Sequence, residues 1–227
     1  MTQSAKPAFA FSIRWQSVNV VTQVVLQLIF LVLLARLISK ADFGLMSIAL
    51  VVFGFVEIFA QLGIGPSLIQ RGDLKPEQIR AAFSFSVVLG FVFFALTYAM
   101  APTVGQWFET AELASVLRWI ALSFILSSLA LIPRSLLIRN MAFKNLFIAS
   151  LVSMVIGNLM IGLGMAYAGY GVWSYVGALL SQNAALGIMY WLFKPAEAHG
   201  AWKPQSWRPL APMLSYGGRA TLYNLLN

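Results

Sequence analysis

LLARLISKADFGLM, Leu33 to Met46, packs Arg36, Lys40 and Asp42 between two long apolar runs. The flanking residues are mostly Val, Leu, Ile, Phe and Ala, and each run extends for about 20 residues, enough to cross a hydrocarbon core of roughly 30 Å at helical rise. The stretch therefore reads as a hairpin between two transmembrane helices. Arg36 and Lys40 reach toward lipid headgroups, and Asp42 stands near the start of the second helix, where its charge suits the helix dipole.

The rest of the chain repeats this pattern. It is 60% hydrophobic and 10% charged, with mean hydropathy +0.81, whereas soluble domains carry roughly 25% charged residues. Six complete segments are expected, at about 13–36, 44–62, 81–101, 114–133, 146–167 and 171–193, with a seventh beginning near Met213. The fold class is all-α: a polytopic membrane helix bundle whose six transmembrane helices form an N-terminal lobe over 1–193. KPAEAHGAWKPQSWRPLAP, Lys194 to Pro212, is rich in proline and reads as a cytoplasmic linker over 194–212. The remainder, 213–227, is too short to cross and reads as the start of a second lobe, cut within a helix. The opening residues lack the pattern of a removed signal, so the first span is expected to be retained.

Charge gives the expected orientation. With the N-terminus cytoplasmic, Lys6, Arg14, Arg71, Lys75, Arg80, Arg134, Arg139, Lys144, Lys194, Lys203 and Arg208 fall inside, against Arg36, Lys40 and Arg118 outside. Trp15 and Trp191 then mark the inner interface, while Tyr98, Trp107, Trp119, Tyr167, Tyr170 and Trp173 mark the outer one. The turn AGYG, Ala168 to Gly171, makes spans five and six antiparallel neighbours. GPSLIQR, Gly65 to Arg71, and PRSLLIR, Pro133 to Arg139, echo one another, as an internal repeat or as two similar helix exits.

Polar groups inside the spans locate the candidate site. Gln16, Asn19, Gln23 and Gln27 fall within an arc of roughly 80° at about 100° per residue. An unpaired buried amide costs roughly 1–3 kcal/mol, so this stripe faces protein or water, as a cavity wall or as a set of interhelical hydrogen bonds. Glu57 and Gln61 on span two lie at the depths of Asn19 and Gln16, and an antiparallel neighbour would complete a polar layer. An ionisable residue at such depth is a functional candidate, as a coupling group for a proton or cation or as a neutral structural acid. Asn158, Gln182 and Asn183 are expected to pair with one another, beside small residues Ser153, Gly157, Gly177, Ser181 and Ala185 that let spans five and six approach. Arg14, at the entrance to the stripe, is the leading candidate to capture a phosphate, with Arg71, Arg134 and Arg139 secondary as phosphate or lipid-headgroup ligands.

Chemistry motifs are absent from the sequence: no glycine-rich nucleotide loop and no nucleophile with a base. There is no cysteine, and His199 is the single histidine, so neither thiol chemistry nor a histidine-based metal cluster is available. No enzyme activity, metal, cofactor or nucleic-acid partner is expected.

The run LARLISKADFGLMSIALVVFGFVEIFAQLGIGPSLIQRGDL, Leu34 to Leu74, resembles the first two spans of the polysaccharide exporters and lipid-linked oligosaccharide flippases of the multidrug/oligosaccharidyl-lipid/polysaccharide superfamily. The likeness continues through IPRSLLIRNMAFKNL, Ile132 to Leu146, GYGVWS, Gly169 to Ser174, and SYGG, Ser215 to Gly218. It implies two six-helix lobes arranged in a V around a central cavity and working by alternating access in the bacterial inner membrane. The implied cargo is an oligosaccharide on undecaprenyl diphosphate, a precursor of exopolysaccharide or lipopolysaccharide. Membrane lipids, a polysaccharide polymerase and glycosyltransferases follow as partners. A cation-coupled multidrug exporter of the same superfamily and a non-transporting scaffold for polysaccharide synthesis are the alternatives.

Overall fold

The computed structural model describes residues 5–60, 65, 68–69 and 74–195, with side chains over 18–58, 65, 68–69 and 74–195. The linker and the seventh segment expected at 194–212 and 213–227 lie outside them apart from Lys194 and Pro195. The described residues are helical, without strands. Helix α1 (Ala5–Leu37) and α2 (Lys40–Ala60) are joined by Ile38 and Ser39. Then come α3 (Pro76–Trp107), α4 (Ala111–Ile120), α5 (Leu122–Arg139) and α6 (Phe143–Met154). A π-helical stretch, Val155–Gly162, leads into α7 (Leu163–Tyr167), and α8 (Trp173–Leu192) closes the order.

Among the described residues five helices are long and apolar enough to cross a membrane: Val18–Leu37, Lys40–Ile58, Pro76–Trp107, Ala111–Arg139 and Phe143–Tyr167. The chain is a multi-pass membrane protein. Expected segment six corresponds to α8, which has 20 residues but carries Ser181, Gln182 and Asn183 in its middle and so is more polar than the others. Its position explains why it can be: α8 packs against α4, α5, α6, α7 and the π stretch, so protein surrounds much of the surface that lipid would otherwise meet.

Segment four was expected to end at Pro133, yet α5 continues to Arg139 with Pro133 inside it. One missing backbone donor is tolerated where neighbouring helices support the turn. Ala121 keeps right-handed helical angles between α4 and α5, so the two make a single crossing.

The hairpin that opened the sequence is built as a small box. The Asp42 N–H donates to Ser39 Oγ at 3.1 Å and Ser39 Oγ donates to Asp42 Oδ2 at 2.7 Å, fixing a carboxylate at the first turn of α2. The turn after α7 folds onto it. Gly169 and Gly171 have φ of 81° and 54°, and a Cβ at Gly171 would lie 2.9 Å from Asp42 Oδ2. Glycine is required there by both conformation and space. The Trp119 and Trp173 rings meet edge to face at 6.5 Å at this same end.

Phe30, Leu34, Met46, Ala49, Phe53, Leu113, Leu117 and Ile120 belong to the large apolar cluster toward this hairpin end. Two smaller clusters lie toward the opposite end, one containing Leu68, Ile79, Ala82, Ile132 and Leu136, the other Ala130, Leu137, Leu146, Ala149 and Tyr190. Away from the hairpin α1 and α2 take different partners. Helix α1 packs along α6, the π stretch and α7, whereas α2 packs on α3 and α4. The expected side-by-side pairing of spans one and two therefore does not extend along their lengths, because the fifth span takes the place beside α1.

Candidate functional site

The divergence of α1 from α2 leaves a cavity of about 700 Å³. Phe53 and Phe124, with ring centroids 4.8 Å apart, belong to the hairpin-end cluster and contribute an apolar part of its wall. Asn19 and Gln23 line it from α1, Glu57 from α2, Arg134 from α5, Ser150 from α6, and Asn183 with Tyr190 from α8. A volume of this order is in the range of small-molecule sites, which span roughly 300–1,000 Å³. Here the wall carries a carboxyl group, a guanidinium, amides and hydroxyls within an otherwise apolar protein.

The amide stripe of α1 divides between two uses. The Gln23 Nε2 donates to Asn19 Oδ1 at 2.8 Å, one helical turn away. That leaves the Asn19 amino group and the Gln23 carbonyl for other partners at the cavity wall. Gln27 is not among the residues lining the cavity. It accepts a 3.2 Å hydrogen bond from Asn158 Nδ2 across the helix interface. Gln16 and Arg14 lie on α1, but their side chains are outside the described residues, as are Gln61 and Arg71.

Glu57 lines the α2 wall and lies within electrostatic reach of the buried Tyr175. The secondary arginines separate. Arg134 lines the cavity and is exposed, while Arg139 Nη1 donates to the Leu68 carbonyl at 3.1 Å. That bond ties the two echoed stretches together, and Gly65 lies against Ser135, where a Cβ would be 3.4 Å from the hydroxyl.

The expected mutual pairing of Asn158, Gln182 and Asn183 does not form. The buried Asn158 turns from the π stretch to α1, Asn183 lines the cavity, and Gln182 backs onto Gly157, where a Cβ would be 2.7 Å from the Gln182 Cα. Consecutive positions on a helix point about 100° apart, so Gln182 and Asn183 serve different sides of α8. The seam itself is close-packed: a Cβ at Gly162 would be 2.8 Å from Ala178 Cβ, and one at Gly177 would be 2.5 Å from Met165 Sδ.

Tyr190 was not singled out by the sequence, since a tyrosine near a helix end reads as an interfacial anchor. Its ring is buried, and its hydroxyl lies within hydrogen-bonding reach of the side chains of Arg134 and Ser150, which line the same cavity wall. Three helices thus meet at one polar contact on the cavity wall. Among the described residues there is no group of three or more His, Cys, Asp or Glu placed to hold a metal ion.

Residues 33–227 match the family model described as a polysaccharide biosynthesis protein. An uncharacterized membrane protein in the cps region of Klebsiella pneumoniae is 25% identical over 219 residues, covering 95% of this chain and 44% of that protein. The teichuronic acid biosynthesis protein TuaB of Bacillus subtilis is 25% identical over 83% of this chain and 39% of its own length. The lipopolysaccharide biosynthesis protein WzxC of Escherichia coli is 25% identical over 49% of this chain and 23% of its own. The chain thus spans less than half the length of these relatives. No solved structure matches it. Its all-helical membrane bundle and the match across 33–227 place the chain in the polysaccharide biosynthesis protein family.

Proposed function

We propose that this chain is the N-terminal, cargo-handling lobe of a flippase that moves a lipid-linked oligosaccharide across the bacterial inner membrane by alternating access. The observation that carries the reading is the cavity where α1 and α2 diverge, with Arg134 and a set of amides on its wall. An amphiphile with a sugar head and a diphosphate needs hydrated polar groups for the sugars and a cation for the phosphates. Asn19, Gln23 and Asn183 supply the first, and Arg134 the second through the paired hydrogen bonds that guanidinium makes with phosphate.

The N-terminus and the Arg134 end of the bundle face the cytoplasm in this reading, because most of the basic residues fall at that end. By the charge count and the depth of the amides in the sequence, we extend the proposal to Arg14, Gln16, Gln61 and Arg71 as further groups on the cytoplasmic side. Membrane lipids, a polymerase and glycosyltransferases are the proposed partners, with the bond-making chemistry left to the enzymes. Relatives named for teichuronic acid and lipopolysaccharide biosynthesis support this cargo class.

The test is translocation of a lipid-linked oligosaccharide by the membrane-embedded protein in liposomes, alongside polymer export in cells. Arg134→Gln combined with Asn19→Leu and Gln23→Leu should reduce both by at least about tenfold while leaving insertion intact. Unchanged translocation would overturn the assignment. Glu57 on the cavity wall favours one competitor, a cation-coupled exporter of organic molecules. Proton- or sodium-driven efflux of organic cations, lost in Glu57→Gln, would select it instead.

A further inference from the structure

An exposed arginine on a flexible stem is a poor anchor unless something holds it, since fixing its side chain costs rotamer freedom. Arg134 projects from α5 at the cavity, and its neighbour from α8 is unusually well held. Tyr190 is 4% exposed, and its ring belongs to the cluster with Ala130 and Leu137 of α5 and Leu146 and Ala149 of α6. Ala130 and Leu137 flank Arg134 on one face of α5, so the polar tip of that immobile ring lies within reach of the Arg134 guanidinium and of the Ser150 hydroxyl on the same cavity wall. A guanidinium has five N–H donors. One engaged by the phenol oxygen leaves four, still enough for two parallel bonds to a pair of anionic oxygens.

We infer that Tyr190 is a positioning residue for Arg134: its hydroxyl, steadied by Ser150, fixes the guanidinium at the cavity wall so that it presents a two-bond edge to a phosphate or diphosphate ester. The inference rests on the reading of Arg134 as the cavity's anion-binding group and adds how that group is made selective. Tyr190 does not touch the cargo's phosphate in this arrangement; it acts through the arginine. Its removal costs pre-organisation, so the loss falls on anions bound through two oxygens and spares neutral sugars held by Asn19, Gln23 and Asn183.

The experiment measures binding of farnesyl diphosphate and of a neutral, phosphate-free farnesyl glycoside to the protein in lipid nanodiscs. Arg134→Gln should weaken the diphosphate by about thirtyfold or more, and Tyr190→Phe by about five- to tenfold. Neither should change the glycoside appreciably. Ser150→Ala, which leaves the aromatic packing untouched, should weaken the diphosphate by about two- to threefold in the same direction.

The decisive measurement is the double variant. In an Arg134→Gln background, Tyr190→Phe should cause no further loss, because the group it positions is gone. A further loss equal to that seen alone, or a parallel loss for the glycoside, would overturn the positioning role. Loss in Arg134→Gln with wild-type affinity in Tyr190→Phe would overturn it too, while leaving Arg134 as the anion site. Wild-type diphosphate affinity in Arg134→Gln would overturn the underlying assignment and this inference with it.

Discussion

The seam between the π stretch and α8, and the cavity beside it, use similar residues for opposite ends. In the seam, Gly157, Gly162 and Gly177 bring backbones so close that a single added carbon meets Cα, Cβ or sulfur atoms at 2.5–2.8 Å, and Asn158 satisfies itself on Gln27. At the cavity, Asn19, Asn183 and Arg134 stand where α1 and α2 have separated. An amide in a membrane helix is thus glue or cavity lining according to whether the facing helix can approach. The small residues decide that, more than the amide does.

The strongest way to break the comparison is to force the seam apart. Gly157→Val puts side-chain atoms into the Gln182 Cα and the Ala178 carbonyl, 2.7 and 2.8 Å from the ideal Cβ, which are backbone and cannot swing away. The expected cost is about 3 kcal/mol, at the upper end for overpacking, read as loss of monodisperse protein and a lowered melting temperature in detergent. Gly54→Ala is the control. Nothing lies within 4 Å of its Cβ position in the interior of α2, and helix propensity should leave stability unchanged or raised by up to about 1 kcal/mol. Equal losses at both positions would mean that close approach is not what holds the seam.

Much of this division was readable in the sequence, and the missing part has a physical cause. Asn19, Gln23 and Glu57 were legible because buried amides and acids in apolar spans must face something polar. The hairpin at Arg36 to Asp42 was legible because charge cannot remain in hydrocarbon. Helical periodicity gives the face a residue occupies but not the neighbour it meets. It could not say that α1 lies along α6 and α7 in place of α2, nor that Gln27 would be taken by Asn158. The π stretch was hidden for another reason: VIGNLMIG has no proline, and its glycines read as ordinary packing positions. Tyr190 was missed because its role depends on Arg134 and Ser150, which are distant in sequence and brought to it by α5 and α6.

A smaller effect sharpens the comparison at its amides. Asn158→Leu leaves the Gln27 carbonyl without its donor and should cost about 1 kcal/mol, within the range seen for hydrogen bonds between membrane helices. Asn183→Leu, one side of α8 away, should cost less than about 0.5 kcal/mol, because its amide faces the cavity and gives up no interhelical bond. A double cycle of Asn158→Leu with Gln27→Leu, followed by reversible denaturation in mixed micelles, should return a coupling of about 0.6 kcal/mol or more. Additive losses would show that the Gln27–Asn158 bond is not what holds α1 to the π stretch.

A third effect, about half that expected for Asn158→Leu, tests whether the hairpin end is as firmly closed as its packing indicates. Trp119 of α4 and Trp173 of α8 meet edge to face at 6.5 Å, while Arg118 sits 5.1 Å from the centroid of the Tyr98 ring of α3. Edge-to-face pairs add about 0.5–1.5 kcal/mol beyond area burial, and a cation over an aromatic ring at an exposed site adds about 0.5–1 kcal/mol. Trp119 is 54% exposed, so its share belongs at the low end of the first range. Trp119→Leu should therefore lower stability by about 0.5 kcal/mol, and Tyr98→Leu by a similar amount through the arginine. Neither residue lines the cavity, so binding of the diphosphate probe should stay at the wild-type level in both. If Trp119→Leu weakened that binding, the hairpin end would have to move with the cavity, and the two regions would be coupled parts of one conformational change.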